Sequence, residues 1–483
     1  MTDFNVLNLR TLCIPKDNVF SNQVDEEVWD ISQLHDKSFD AKKFFDNNYR
    51  TEGMKVLYTK AFQRLLGNSQ GDSGIIELSQ AMGGGKTHNM FALGLLAQHL
   101  DMRPEQLDDI YPNHTALGKV ETLVFTGRDS NDIFWAELAK QLGKPAFGIN
   151  PPVAPSRQEW ITLLQGAPKI IFLDELPPYL NNAKTIQIGA GNLLDVCKTA
   201  IANLFAALQS PELSNVLVVF ASLDATAYEE GGSAISDVLK EVTMESKRLS
   251  TSITPVDNNK DELIDILRKR QFASLPSDEK IEEVAKVYKE AHEDAKKAGL
   301  TLSSSEELYT AIKRTYPFHP SIIETFKKFN ENLNWQKTRG TIRLVKKSVA
   351  YVYSTQVADE AMLLEAHHFD YSDAETRNQI VGIKNSIQPA LDHDVSANGK
   401  AEAEMIAKLS KENELILPLA KTIYMNSLSN VPGGITGLTT NKLVDILVAP
   451  GRNVGNVKQL LGKLQNTAWY LHIKDDKSYV FLL

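Results

Sequence analysis

An apolar run, Ile75 to Leu78, leads into three consecutive glycines, Gly83-Gly84-Gly85, then Lys86 and Thr87. Apolar residues then recur at helical spacing: Met90, Phe91, Leu93, Leu95 and Leu96. This order predicts a buried strand, a tight glycine turn and a helix. Glycines let backbone N–H groups close around an anion, and a helix N-terminus adds its positive dipole. A lysine and a hydroxyl at the turn add a charge for phosphate oxygens and a ligand for Mg²⁺. The candidate nucleotide-binding residues are therefore Gly83, Gly84, Gly85, Lys86, Thr87 and His88. The pattern G-x-x-x-x-G-K-[ST] is met except at its leading glycine, where Gln80 stands. The plainer alternative is a glycine-rich strand–helix turn with a solvated lysine.

A second apolar run, Ile170 to Leu173, ends in Asp174 and Glu175. A parallel α/β sheet carries its chemistry at the carboxyl ends of its strands. There Asp174 would hold Mg²⁺ through water, and Glu175 would polarise an attacking water. Glu121 to Thr126 and Asn215 to Phe220 read as further buried strands, and residues 250–256 as a short fifth. Helices are expected between them, at 131–142, 158–164 and 193–209, and a last one at 233–248. Residues 101–119, with Pro104 and Pro112, and 184–192 read as loops. The alternation predicts an α/β fold with a doubly wound parallel sheet. The strand 215–220 is expected between the phosphate loop and the acidic pair. Ser222 or Asp224 at its end would sense the γ-phosphate or orient water. Arg248, before the fifth strand, could reach a neighbouring subunit's γ-phosphate or be an ordinary helix C-terminal cation.

Upstream of the glycine turn, Met54, Leu57, Tyr58, Phe62, Leu65 and Leu66 mark a packing helix. Arg50 and Thr51, just before it, are candidates to lie near the nucleotide base, or Arg50 is simply solvated at the start of a packing helix. Beyond the fifth strand the pattern turns helical, with expected helices at 261–272, 278–298, 306–314, 316–329 and 335–353. Residues 321–350 hold seven lysines and arginines against two glutamates. This all-helical lid could present that face to DNA phosphates, or turn Arg339 or Arg343 to a bound nucleotide. Near the end, 417–428, a Thr-capped 438–448 and 453–471 read as three helices, followed by a hairpin turning at Asp475-Asp476. Three helices and a hairpin predict a winged-helix-like domain. Arg452, Lys458, Lys463, Lys474 and Lys477 make residues 451–483 compatible with duplex DNA. The boundaries drawn are an N-terminal extension and packing helix at 1–67, an ATPase core at 68–258, a lid at 259–355 and a C-terminal region at 356–483.

Composition narrows the classes. The 483 residues are 42% hydrophobic, enough for several cores. A formal net charge of −9 excludes a protein coated in nucleic-acid-binding charge, though not a local basic patch. Cys13 and Cys197 are too far apart for a metal-ligand pattern and suit a reducing compartment. The N-terminus lacks the features of a signal peptide, and no apolar run reaches the ~20 residues of a membrane span. A cytoplasmic location, without membrane contact, is expected.

The stretches FFDNNYRTEGMKVLY, GGGKTH, IIFLDEL, ITPVDNNKDELIDILRKRQF, YPFHPSIIETF and QKTRGTIRLV, spread over residues 44–345, give the chain a family resemblance. It resembles the AAA+ (ASCE-class) P-loop ATPases, and more narrowly the Walker ATPases of anti-phage islands encoded beside DNA methyltransferases (BREX-type, BrxC/PglY-like). The resemblance implies ATP and Mg²⁺ bound at Lys86 and Thr87, with Asp174 and Glu175 as the acidic pair. It implies sensor-like arginines at Arg339 and Arg343. It also implies DNA-linked or methyltransferase-system partners; a homo-oligomer is expected where Arg248 reaches a neighbouring subunit. BREX-type members are much longer than this chain. Two other classes fit the same residues: a nucleotide-gated assembly switch with negligible turnover, and an origin-recognition-like DNA loader.

Overall fold

The computed structural model describes residues 6–21, 29–68, 74–79, 84–128, 132–144, 147, 152–222, 251–255, 262–329, 332, 335, 337–429 and 437–483. The chain divides into two compact units. One runs from Glu26 to Leu263; the other joins Met1–Asp25 to Ile264–Leu483.

The first unit is built on five parallel strands: β1 (Ile75–Ser79), β2 (Glu121–Thr126), β3 (Lys169–Asp174), β4 (Val216–Ser222) and β5 (Thr251–Ile253). Their spatial order is β2-β3-β4-β1-β5. The strand β4 therefore lies between the glycine-turn strand and the acidic strand, as the sequence suggested. Period-two alternation divides the side chains between two cores. Ile76, Leu78, Val124, Ile170, Phe172, Leu217 and Val219 pack against α1 (Glu52–Leu65) and α2 (Lys86–Gln98). Ile75, Leu123, Phe125, Ile171, Leu173, Val216 and Val218 face the opposite way. They meet α3 (Phe134–Gln141), α4 (Arg157–Leu164), α5 (Leu176–Ala183) and α6 (Leu193–Leu208). Helices cover both faces, so the sheet is doubly wound, and its strands are mainly apolar, with the buried Glu77 an exception in β1.

Two expected loops have structure of their own. Pro104 sits in the first turn of a short helix, Arg103–Leu107, where its missing N–H costs nothing. Residues Gln187–Ile188 and Gly191–Asn192 pair as a small hairpin. The expected helix at 233–248 lies outside the described residues.

The second unit contains α7 (Glu262–Gln271), α8 (Asp278–Lys297), α9 (Ser305–Thr315), α10 (Pro320–Phe329) and α11 (Lys337–Ser354). It is not wholly helical. Phe272–Ser274 pairs antiparallel with Ile14–Pro15. The first residues are further tied down by Arg10, which pairs with Asp359 at 2.7 Å, and by the Tyr353 hydroxyl, which donates to the Leu9 and Cys13 carbonyls. Towards the C-terminus come α12 (Ile416–Ser427), α13 (Thr440–Leu447) and α14 (Val457–Thr467). A hairpin, Leu471–Ile473 with Tyr479–Phe481, follows. Thr439 caps α13 through its side chain, as expected from the sequence. No helix among the described residues is long and apolar enough to cross a membrane.

Candidate functional site at the strand ends

The site is assembled at the carboxyl ends of β1 and β3. Gly85 is the N-cap of α2 with φ 90°, a left-handed conformation that glycine adopts without a Cβ penalty. Asn89, one turn along α2, donates from Nδ2 to the Gly85 carbonyl at 2.9 Å and clamps the turn. Lys86 and Thr87 open the helix, whose first-turn backbone N–H groups have no intrahelical carbonyl to bond. Gly83 and Gln80 lie outside the described residues. The His88 ring packs against Phe44, with centroids 5.0 Å apart.

Thr87 and Asp174, 87 residues apart, meet here: the Thr87 hydroxyl donates to Asp174 Oδ2 at 2.6 Å. The other carboxylate oxygen accepts the Glu175 N–H at 3.0 Å. Burial pushes the Asp174 carboxyl above its ordinary value. The Thr87 hydroxyl, the Glu175 N–H and the Lys86 charge offset part of this rise, and the Asp30 charge adds to it. A hydroxyl and a buried carboxylate side by side are the hard oxygen donors that suit a divalent cation such as Mg²⁺. The donor set fits.

Glu175 follows in a left-handed conformation, φ 52°, sparsely populated for a residue with a side chain. It is the N-cap of α5. Strain of this kind persists where the surroundings hold it, and here the hold comes from β2. The Gly127 N–H donates to the Asp174 carbonyl at 3.0 Å. A Cβ on Gly127 would collide with the Glu175 carbonyl oxygen and Tyr179 Cβ, so only glycine fits between the strand end and α5. The next residue, Arg128, pairs with Glu175 at 2.9 Å. Nothing local in the sequence marks Asn89, and the dipeptide Gly127-Arg128 at a strand end is the only sequence signal for Arg128.

The other expected residues fare differently. Ser222 ends β4 in register with Ser79 of β1, but its side chain lies outside the described set, as do Asp224 and Arg248. Arg339 is exposed on α11, in the second unit. Arg50 was read as a candidate for the nucleotide base. Its guanidinium instead makes two bonds to the Asp109 carboxylate, at 2.7 and 2.6 Å, and also donates to the Gln106 carbonyl.

The basic stretch at 321–350 is less bare than its composition suggests. Lys347 pairs with Glu375, and Lys328 is half-buried and donates to Asn426 at 3.1 Å. Arg452, expected among the DNA-facing cations, is instead partly buried against Glu365. It donates to both carboxylate oxygens of Glu365, at 2.8 and 3.1 Å. Glu365, His367 and His368 bring potential metal donors within 4.8 Å of one another. With Glu365 taken by Arg452, and His368 Nδ1 accepting the Glu365 N–H at 3.0 Å, the group reads as a buried ion-pair core.

A family described as DUF499 second domain matches residues 258–436. No curated protein matches the chain. Among solved structures, Cdc6p from Pyrobaculum aerophilum is similar at 12% identity and a TM-score of 0.34, over 97% of this chain and 94% of that one. C. elegans PCH-2 is similar at 15% identity and a TM-score of 0.25, over 67% and 72%.

Proposed function

We propose that the chain binds Mg·ATP at the glycine turn and hydrolyses it, as an AAA+ type motor or switch. The Thr87–Asp174 hydrogen bond carries this reading. It joins the two residues that a nucleotide-bound cation would need, across a sheet whose order inserts β4 between their strands. When bound, Mg²⁺ would neutralise charge developing on the phosphates. The chain's own groups would do the rest. Backbone N–H groups at Gly84, Gly85 and the start of α2 would hold the phosphates, and Lys86 would reach the β/γ oxygens. Glu175 would accept a proton from the attacking water as it adds in line. Ser222 would orient that water. Arg339, and Arg248 from a neighbouring copy in a homo-oligomer, would stabilise the γ-phosphate.

The finer role rests on the resemblance to BREX-type ATPases. It is action with DNA or methyltransferase-system partners in anti-phage defence, in the cytoplasm. DNA contact would fall to a winged-helix-like arrangement of α12, α13, α14 and the terminal hairpin, and to the exposed cations of 321–350. A second reading, a nucleotide-gated switch with negligible turnover, is favoured by the Arg128–Glu175 ion pair, because that pair occupies the proposed base.

Phosphate release from wild type and Glu175→Gln, with and without duplex DNA, separates the two. The hydrolase reading expects the substitution to lower turnover by about 10²-fold or more while nucleotide binding is kept. Wild type that binds ATP but releases no more phosphate than the variant would sink the hydrolase reading and leave the switch.

A further inference from the structure

Thr126 is the last residue of β2 and stands in parallel register with Asp174 on β3. Residues paired in this way point to the same face of a sheet, about 4.8 Å apart. The neighbouring pairs agree: Val124 and Phe172, two residues earlier on each strand, belong to the core under α2. Thr126 and Asp174 therefore both face the N-terminus of α2, where Thr87 already bonds Asp174. The Thr126 hydroxyl oxygen is buried there and has no hydrogen-bond partner among the described residues. Leaving a buried hydroxyl unsatisfied costs about 1–3 kcal/mol. Valine would fill the same space on an edge strand without that cost. A hydroxyl lacking a partner beside a buried carboxylate is suited to a water that arrives with a ligand.

We infer that Thr126 is a positioning residue of this site. Its hydroxyl hydrogen-bonds a water in the hydration shell of the divalent cation held at Thr87 and Asp174. This inference rests on the Mg·nucleotide reading of the site. Mg²⁺ keeps several of its waters when it binds with phosphates, so outer groups are needed to orient them. Asp174 has one oxygen on Thr87 and the other on the Glu175 N–H, which leaves work for a second group on the adjacent strand.

The test compares wild type, Thr126→Val, Thr126→Ser and Lys86→Ala in the full chain. Mn²⁺ binding is followed by electron paramagnetic resonance with a non-hydrolysable ATP analogue present, and thermal unfolding is followed without ligand. Thr126→Val is expected to weaken Mn²⁺ binding in the ternary complex about ten-fold. Its ligand-free melting temperature should be equal to or above that of wild type, because an unsatisfied hydroxyl has been removed. Thr126→Ser should restore cation affinity. Lys86→Ala should lose the nucleotide itself. If Thr126→Val keeps wild-type Mn²⁺ affinity, or loses affinity only with a fall in ligand-free stability, the role of Thr126 is refuted while the ATP reading stands. If wild type forms no ternary complex, both fall together.

Discussion

At the scale of single residues, the Arg128–Glu175 pair has the clearest consequence. The partners are 62% and 28% exposed, so their attraction is worth about 0–1 kcal/mol. A restraint this weak can be broken by a ligand that offers Glu175 a better partner. On the proposed assignment, Arg128→Ala frees the base and should raise basal phosphate release several-fold. The rise should vanish in Arg128→Ala/Glu175→Gln. A steady-state assay in which Arg128→Ala is unchanged or slower would refute the restraint. Lys86, Thr87, Asp174 and Glu175 were legible as candidates because each belongs to a local pattern, a glycine turn or an apolar run with an acidic end. Thr126, Asn89 and Arg128 were not. What they do depends on which strand lies beside β3 and on how closely α2 and α5 approach it.

At the scale of elements, the C-terminal helices are held by buried polar contacts that composition misread as surface charge. Glu365 is almost wholly out of water, and the Arg452 side chain that pairs with it is four-fifths covered. Removing one partner of such a pair strands the other, at about 3–5 kcal/mol. Arg452→Ala should therefore lower stability by that amount in urea unfolding. Arg452→Met/Glu365→Leu should recover most of the loss, because paired apolar replacements leave no charge behind. Full stability in the single variant would contradict the burial. The same logic explains how α8 meets α13. Asp445 accepts from the hydroxyls of Thr301 and Ser303 and lies 3.2 Å from His292 Nε2. Periodicity placed these helices well, but it says nothing of which polar residues end up inside.

At the scale of the whole molecule, His319, His367 and His368, all buried in the second unit, should govern acid sensitivity. Burial, with the charges of Arg452 and Lys421 adding, pushes His368 down to about 3; burial and Arg452 do the same to His319. His367 falls well below its ordinary value for the same reason, with His368 adding. In the unfolded chain they titrate near 6.5. Their contribution is fully present above that value. It is lost as pH falls from there toward 3, because only the unfolded state takes up the protons. His319 and His368 should each cost roughly 1 kcal/mol per pH unit across that window, and His367 should add in the same direction. Urea unfolding at pH 7.5, 6.5 and 5.5 checks this, and His368→Gln should flatten the slope. Equal stability at pH 7.5 and 5.5 would refute it.

The sequence by itself determined the parts that local physics controls. Apolar runs bounded by polar turns mark buried strands, spacing of three and four marks helices, and Gly83-Gly84-Gly85-Lys86-Thr87 marks a tight turn into a helix. Tertiary structure alone decided which strand ends became neighbours. It brought Thr87 to Asp174 and Thr126 to the same face, and took Arg50 to Asp109 and Arg452 to Glu365. It also joined the first 25 residues to the C-terminal unit. These are long-range pairings set by strand order and burial. A charge or hydroxyl is recognisable one residue at a time, but its partner is chosen by the fold.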